Sequence, residues 1–378
     1  MTAASVPLLE TVRDVSAGNA KIPRSKLMPA GPLAVVDQGQ SLVAGFTDDE
    51  TAAVKAATPL IVFGDHTRAL KYIDFPFAMG ADGVKVLQVQ KGFDPKFVFH
   101  YLRSRNIPSA GYSRHFKFLQ QIAVPRPAMS EQRRIAAILD LADALRARRR
   151  RILVSLDSLA RSIFEDIVGG DYWRSVSPSA TGPNDAGWSW VPLSDISRLA
   201  TGHTPDRKRP DYWDGGKIPW ISLPEIRSLD GQTAIRANLA ITEAGLANSS
   251  AVLLPVGTVC FSRTASVGFV TKLGVPMATS QDFHNWVPGP DLDSEYLMSA
   301  LRYSRRHLLS VSDGSIHRTI YQRTAQTFRV LLPPLDLQHE FAERSRSVAA
   351  QRVLVQRGLA TGDDLFASLQ TRAFRGEL

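Results

Sequence analysis

The spacing of apolar positions changes character along the chain. In residues 131–168 it steps alternately by three and four: Ile135, Ile138, Ala142, Leu145, Ile152, Leu156, Leu159 and Ile163, with only Arg149 interrupting the seam. A heptad sustained over about four repeats predicts a coiled-coil helix rather than a domain-sized one. From Glu131 to Val168 it would be about 55 Å long at 1.5 Å per residue, with Gly169 and Gly170 as its stop. On this register Arg146, Arg148, Arg150 and Arg151 fall off the seam. Off-seam arginines can lie over a partner helix, pair with acids of a docked subunit, or graze phosphates; the first two readings are favoured.

A second segment, Leu337 to Phe374, carries Phe341, Val348, Val355, Leu359, Phe366 and Leu369 on one face. Gly358 and Gly362 interrupt it, so a bend or break is expected there. Two helices with one apolar seam each are satisfied by pairing, and a chain that must return between them pairs them antiparallel. The flanking regions instead show short strand-like runs punctuated by glycine and proline, such as PLIVFGDH, VKVLQVQ and VLLPVGTVCFSR. Each region has a helical patch near its end, PKFVFHYLRSR and SEYLMSALRYSRRHLLS. The expected organisation is α+β: a first globular domain over 1–127, a central spacer helix over 128–170, a linker over 171–187, a second globular domain over 188–333 and a distal spacer helix over 334–378.

An internal repeat sharpens this division. Shifting the chain by 206 residues lays PAMSEQ (127–132) on PPLDLQ (333–338), and the register holds without a gap to Gly170 on Gly376. Matched pairs include Pro127/Pro333, Gln132/Gln338, Ala136/Ala342, Arg146/Arg352, Arg151/Arg357, Asp157/Asp363, Leu159/Leu365 and Ser162/Ser368. The variable regions open alike, VPLLETVRDVSAG against VPLSDISRLATG, and then diverge. A duplicated frame with different contents suggests two similar tools of different specificity.

Composition adds little to the fold and something to the partner. The sequence is 44% hydrophobic, enough for a real core. A formal charge of +9 suits a polyanion, but arginine outnumbers lysine 34 to 11, a bias that a GC-rich genome also produces. The single cysteine, Cys260, excludes an intramolecular disulfide and reads as a buried strand residue. No leader pattern and no apolar run of membrane-spanning length is present, so a cytoplasmic protein is expected.

Catalytic signatures are missing from the sequence. RPDYWDGGK has the residue types of a nuclease metal site, but its carboxylates lie three residues apart with two glycines intervening, and it reads as a turn. There is no phosphate-cradling GxxxxGK[ST], no dinucleotide-binding glycine pattern, no amino-methyltransferase tetrapeptide and no HxxxH or HExxH pair. What remains is polar and aromatic material suited to DNA. His66, Arg68, Lys71 and Arg114 lie in the first region; His203, Arg207, Lys208, Arg209, Tyr212, Arg263, Thr264, Arg318 and Arg323 lie in the second. Arginine can read guanine bidentately and lysine more often fixes phosphates. Each residue alone is equally a solvated surface charge; their grouping on loops is what points to DNA.

This layout resembles the specificity subunit of Type I restriction-modification systems. The motifs that carry the resemblance are PAMSEQRRIAAIL and PPLDLQHEFAE at the helix starts, LARSIFEDIVGG and LFASLQTRAFRGEL at the helix ends, WSWVPLSDISRLATGHTP, and FGDHTRALKYIDFPFAMGADGVKVL. The resemblance implies two target-recognition domains, each binding half of a bipartite, asymmetric DNA site. The helices would set the gap between the halves and dock two modification subunits. Those partners would use S-adenosylmethionine to methylate an adenine in each half, and restriction subunits would add ATP- and Mg-dependent translocation and cleavage. This chain itself would bind no cofactor or metal and perform no chemistry. Two rival readings are a self-sufficient methyltransferase or nuclease, and a coiled-coil scaffold or regulatory DNA-binding protein without a restriction role.

Overall fold

The computed structural model describes residues 4–81, 83–109, 111, 113–310 and 319–378. The chain divides into two compact units: residues 1–151 with 356–378, and residues 152–355. The division cuts both long helices, the central Met129–Val168 and the distal Leu335–Arg375.

In the first unit, Leu60–Gly64 is buried at every position, and Val84–Val89 pairs antiparallel with it, Ile61 opposite Leu87 and Val62 opposite Val86. Val12–Asp14 and Leu70–Ile73 complete an antiparallel sheet of four strands. A second four-stranded sheet runs Lys21–Ile22, Phe77–Gly80, Leu33–Val36, Gly45–Thr47. The Pro95–Ser104 helix starts where Asp94 accepts the Phe97 amide and proline supplies a ready-made first φ. Phe97, Tyr101 and Leu102 share one core with Ile135, Leu139 and Ala142 of the central helix and Phe366 and Ala373 of the distal one.

The second unit is built alike. Val259–Ser262, fully buried, lies between Val270–Leu273 and Phe283–Pro288 in a five-stranded sheet. Asp293 caps the Ser294–Tyr303 helix by accepting the amides of Glu295 and Tyr296. Cys260 is on the buried strand, where burial pushes its thiol up and keeps it protonated. The expected linker is partly ordered structure. Val176–Ser177 pairs with the Arg329–Leu332 strand, and Ser175, Val176 and Ser177 are buried; the Ser304 hydroxyl accepts the Val176 amide at 2.9 Å. Serine-rich composition suggested a loop, but here the hydroxyls satisfy backbone groups.

One fastening occurs in both units. Gln132 is buried; its Oε1 accepts the Asp94 amide at 2.8 Å and its Nε2 donates to the carbonyls of Gly92 and Pro127. Gln338 does the same with the Asp293 amide at 2.9 Å and the carbonyls of Asp291 and Pro333. Each glutamine ties the start of a long helix to the cap of a short one. The phenol of Tyr101 reaches the Ala123 carbonyl, and that of Tyr296 the Leu331 carbonyl.

The helices pair antiparallel within each unit: Arg146 with Asp363 and Arg149 with Gly358 in the first, Arg352 with Asp157 and Phe164 with Phe341 in the second. The seam of the central helix differs from the expected one, whereas the expected face of the distal helix is inward. The inward positions of the central helix are Gln132, Ile135, Leu139, Ala142, Arg146, Arg149, Leu153, Leu156, Ala160 and Ile163; those of the distal helix are Gln338, Phe341, Ser345, Val348, Arg352, Val355, Leu359, Gly362, Phe366 and Leu369. Leu145, Ile152 and Leu159 are 48%, 37% and 48% exposed, and Ile138 is only half-buried. Both registers share every second position, so spacing alone leaves a choice between Leu145 and Arg146. Apolarity favours the leucine, but the arginine is the residue with a partner.

The expected bend is also absent: the distal helix runs unbroken through Gly358 and Gly362. Its glycines sit under Arg149, whose guanidinium donates to the Gly358 carbonyl; a Cβ at Gly362 would lie 2.9 Å from that guanidinium. They act as a recess for a side chain rather than as a hinge.

Candidate nucleic-acid interface

In the first unit the turn after Leu60–Gly64 places His66 at the surface, its amide 3.3 Å from the Gln38 carboxamide oxygen. His66, Arg114, Lys21, Lys85 and Ser16 line one open groove. Its floor is organised by buried Asp65, which accepts the Phe116 amide at 2.7 Å. Arg114 is exposed. Arg68, at φ 62°, donates to the Ile107 carbonyl, so this side chain braces a loop. Lys71 departs from expectation. It is 5% exposed, donates to the Asp37 carbonyl at 2.7 Å and lies 3.5 Å from the Asp37 carboxylate. Burial lowers its pKa and Asp37 opposes that shift; it is an internal ion-pair residue because it lies within the Leu70–Ile73 strand, whose alternate positions Lys71 and Ile73 are buried.

In the second unit the structure brings more of the nominated residues together. The His203 amide donates to the Thr279 carbonyl at 2.9 Å, and its own carbonyl accepts the Trp220 indole at 3.0 Å. Gly202 must be glycine here, since a Cβ would stand 2.1 Å from the Ser280 carbonyl. The loop that follows stacks Arg207 on Trp213 and Trp220, 4.6 and 5.1 Å from the ring centroids. Arg209 covers Tyr212 and is bidentate to Asp211 at 2.9 and 3.0 Å, which holds the Asp211 carboxyl below its ordinary range. Tyr212 is 9% exposed, and Lys208 is fully at the surface. The turn reading of RPDYWDGGK holds: a short 3-10 turn at Pro210–Tyr212 is followed by Gly215 at φ 72°.

A second loop lies against the first. Arg263 donates through Nε to the Gln281 carbonyl at 2.8 Å, and the Gln281 carboxamide accepts from Thr204. Thr264 donates to Asp282 at 3.0 Å. Arg323 is exposed on the Gln322–Gln326 helix, whereas Arg318 lies outside the described residues. Beneath this surface His284 is buried, its Nε2 2.9 Å from the Ile320 carbonyl; burial, with Arg263 nearby, pushes its pKa down to about 4.

Sequence reasoning missed Gln281, which links the two loops, and Lys21 and Lys85, which border the first groove. Lys85 left a signal as the polar member of VKVLQV, alternating with buried Val84 and Val86. Gln281 left none beyond its residue type. Among the described residues, no helix is long and apolar enough to cross a membrane.

Residues 186–350 match the family described as the Type I restriction modification DNA specificity domain. The chain is 22% identical over 338 residues to the EcoR124I/EcoR124II specificity subunit of Escherichia coli, a match covering 82% of this chain and 77% of that one. It is 29% identical over 157 residues to the MjaIX specificity subunit of Methanocaldococcus jannaschii, covering 41% of this chain and 36% of that relative's length. In fold it is similar to the S subunit of a Type I system from M. genitalium, with a TM-score of 0.64 at 13% identity over 99% of both chains. A chain from a Type I R-M system described for complex assembly and conformational transition gives 0.54 at 17% identity, covering 100% of this chain and 98% of that one. By these matches the chain is similar to the specificity subunits of Type I restriction-modification systems, and residues 186–350 carry the match to that family's DNA specificity domain.

Proposed function

We propose that each unit reads one half of a bipartite, asymmetric DNA site, and that the paired helices set the gap of unread base pairs between the halves. The observation that carries this is the contrast between a repeated fastening and unrepeated loops. Gln132 and Gln338 make the same three hydrogen bonds, while the grooves around His66 and Arg114 and around His203, Arg207 and Arg263 have different residues. Together with the 206-residue register this supports an internal duplication whose recognition surfaces have diverged. His66 and Arg114 in the first unit, and His203, Arg207, Lys208, Arg209, Tyr212, Arg263, Thr264, Arg318 and Arg323 in the second, are the candidate contacts. Four that are exposed, Arg114, Arg207, Lys208 and Arg323, are assigned to phosphates.

On this reading the protein works in the cytoplasm and supplies specificity alone. It docks two modification subunits that carry S-adenosylmethionine and methylate an adenine in each half-site, and restriction subunits that use ATP and Mg. Mapping of methylated adenines in a host genome, with and without this chain, tests the proposal: a single bipartite motif with a fixed gap should appear only with it. A continuous motif, or methylation unchanged by its loss, overturns it. Insertion of one heptad into each long helix should lengthen the gap and leave both half-sites unchanged. Insertion into the central helix alone would separate Arg146 from Asp363, so matched insertions are required.

A further inference from the structure

The middle of the helix pair is asymmetric in a way the repeat makes visible. At a shift of 206 residues, Arg146 with Asp363 corresponds to Arg352 with Asp157, and both ion pairs form. The neighbouring layer has no such match. Arg149 corresponds to Val355, and the two glycines beneath Arg149, Gly358 and Gly362, correspond to Ile152 and Leu156. In one half a long cation lies over two glycines and donates to a carbonyl that the missing side chains leave open. In the other half the corresponding positions hold a valine and two large aliphatic residues. Volumes are exchanged between the halves, and each half is complementary only as it stands.

We infer that Arg149 seated on Gly358 and Gly362 selects pairing between the central and distal helices of one chain over pairing between like helices of two chains. If two central helices paired antiparallel, Arg149 would meet Ile152 and Leu156, with no recess and no exposed carbonyl: an overpacked layer holding an unpartnered charge. If two distal helices paired, Val355 would meet Gly358 and Gly362, leaving a void. The flanking arginine–aspartate pairs do not discriminate, because Arg146 could meet Asp157 and Arg352 could meet Asp363 in the like pairings. The layer is thus analogous to a single buried polar residue that chooses partners in a coiled coil. Its consequence for an asymmetric DNA site rests on the function proposed above; the selectivity itself does not.

The test uses three full-length variants, thermal unfolding, and mass by light scattering over a range of protein concentrations. Gly358→Leu with Gly362→Leu raises intrinsic helix propensity, so without a seated Arg149 the melting temperature should rise. We expect it to fall by at least about 3 °C, the shift that corresponds to roughly one kcal/mol in a chain of this size. Arg149→Val alone should also lower it. The triple variant Arg149→Val, Gly358→Ile, Gly362→Leu copies the layer of the other half, and should recover the wild-type melting temperature while forming a dimer whose mass rises with concentration. A rise in melting temperature for the double variant, or a triple variant as unstable as the double, overturns the seat. A triple variant that is stable and monomeric at every concentration, or a wild-type chain that is already dimeric, overturns the selectivity. Any of these mass results leaves the DNA reading untouched, which the methylation map tests separately.

Discussion

In the first unit a buried glutamine at 132 gathers three backbone groups, and in the second a buried glutamine at 338 gathers the corresponding three. Beyond that frame the two part company. The first unit brings a histidine, an arginine and two lysines to one groove, whereas the second stacks arginine on tryptophan and ties two loops through Gln281. What repeats is the set of atoms that must be satisfied wherever a long helix starts against a sheet, because an unmet buried amide costs the same in either unit. What differs lies on loops, where exchange leaves the core intact.

The largest effect that can break this comparison concerns the seam the units share. Leu139→Ala should cost about 3 kcal/mol, as expected for a fully buried leucine, and Leu145→Ala less than about 0.5 kcal/mol, since that side chain is 48% exposed. Urea unfolding of both variants checks this. Equal losses would return the seam to the register that apolar spacing suggests.

That register shows where sequence was informative and where it failed. The three strand runs and both helical patches are elements at those positions: Leu60–Gly64, Val84–Val89, Val259–Ser262, Pro95–Ser104, and Ser294–Tyr303 with Arg305–Ser310. Hydrophobic period and capping chemistry are local, and so were legible. Arg146, Gly358 and Gly362 were misread, and Arg149, though placed on the seam, was read only as an interruption of it, because their roles depend on a residue some 200 positions away. An arginine reads as surface and a glycine as a break until each is seen against the other. Lys71 was misread for the same reason, Asp37 being invisible to any local pattern.

Acid should destabilise the second unit through His284. His284 is neutral in the folded protein, with a pKa lowered to about 4, against about 6.5 when unfolded. A depressed folded-state pKa means the stability is fully present above about pH 6.5 and is lost as pH falls toward 4, because the unfolded chain takes up the proton first. The loss approaches about 3 kcal/mol at 1.36 kcal/mol per tenfold difference in proton affinity. In the first unit the Val84–Val89 strand carries half-buried Lys85 and no histidine, while buried His100, its pKa also lowered by burial, gives that unit an acid dependence of its own. All six tryptophans lie between 173 and 286, so indole fluorescence reports the second unit alone. It should lose cooperative stability between pH 6.5 and 4, and His284→Gln should flatten that dependence.

A smaller effect tests whether the fastening is equivalent. Gln132→Ala and Gln338→Ala should each cost about 2 kcal/mol by leaving a buried amide and two carbonyls without their side-chain partner. Chemical denaturation followed by circular dichroism for both, and by fluorescence for the second, measures the pair. A difference above about 1 kcal/mol would mean that one helix start is held by something the other lacks.

The smallest effect bears on the surfaces. Each phosphate contact adds about 0.9 to the slope of log affinity against log salt for duplex DNA. If Arg114 in the first unit and Arg207 in the second each lie on a phosphate, Arg114→Ala and Arg207→Ala should each reduce that slope by about 0.9 on a random duplex, and the double variant by the sum. Lys71→Met removes the same formal charge from the first unit, but its ammonium is spent on Asp37, so the slope should not move while the fold is retained. Titrations at several salt concentrations distinguish these cases. A slope that responds to Lys71 as strongly as to Arg114 would show that net charge, rather than placed side chains, governs binding. A response to Arg114 but none to Arg207 would confine phosphate binding to the first unit, because Arg207 would then serve only to brace Trp213 and Trp220.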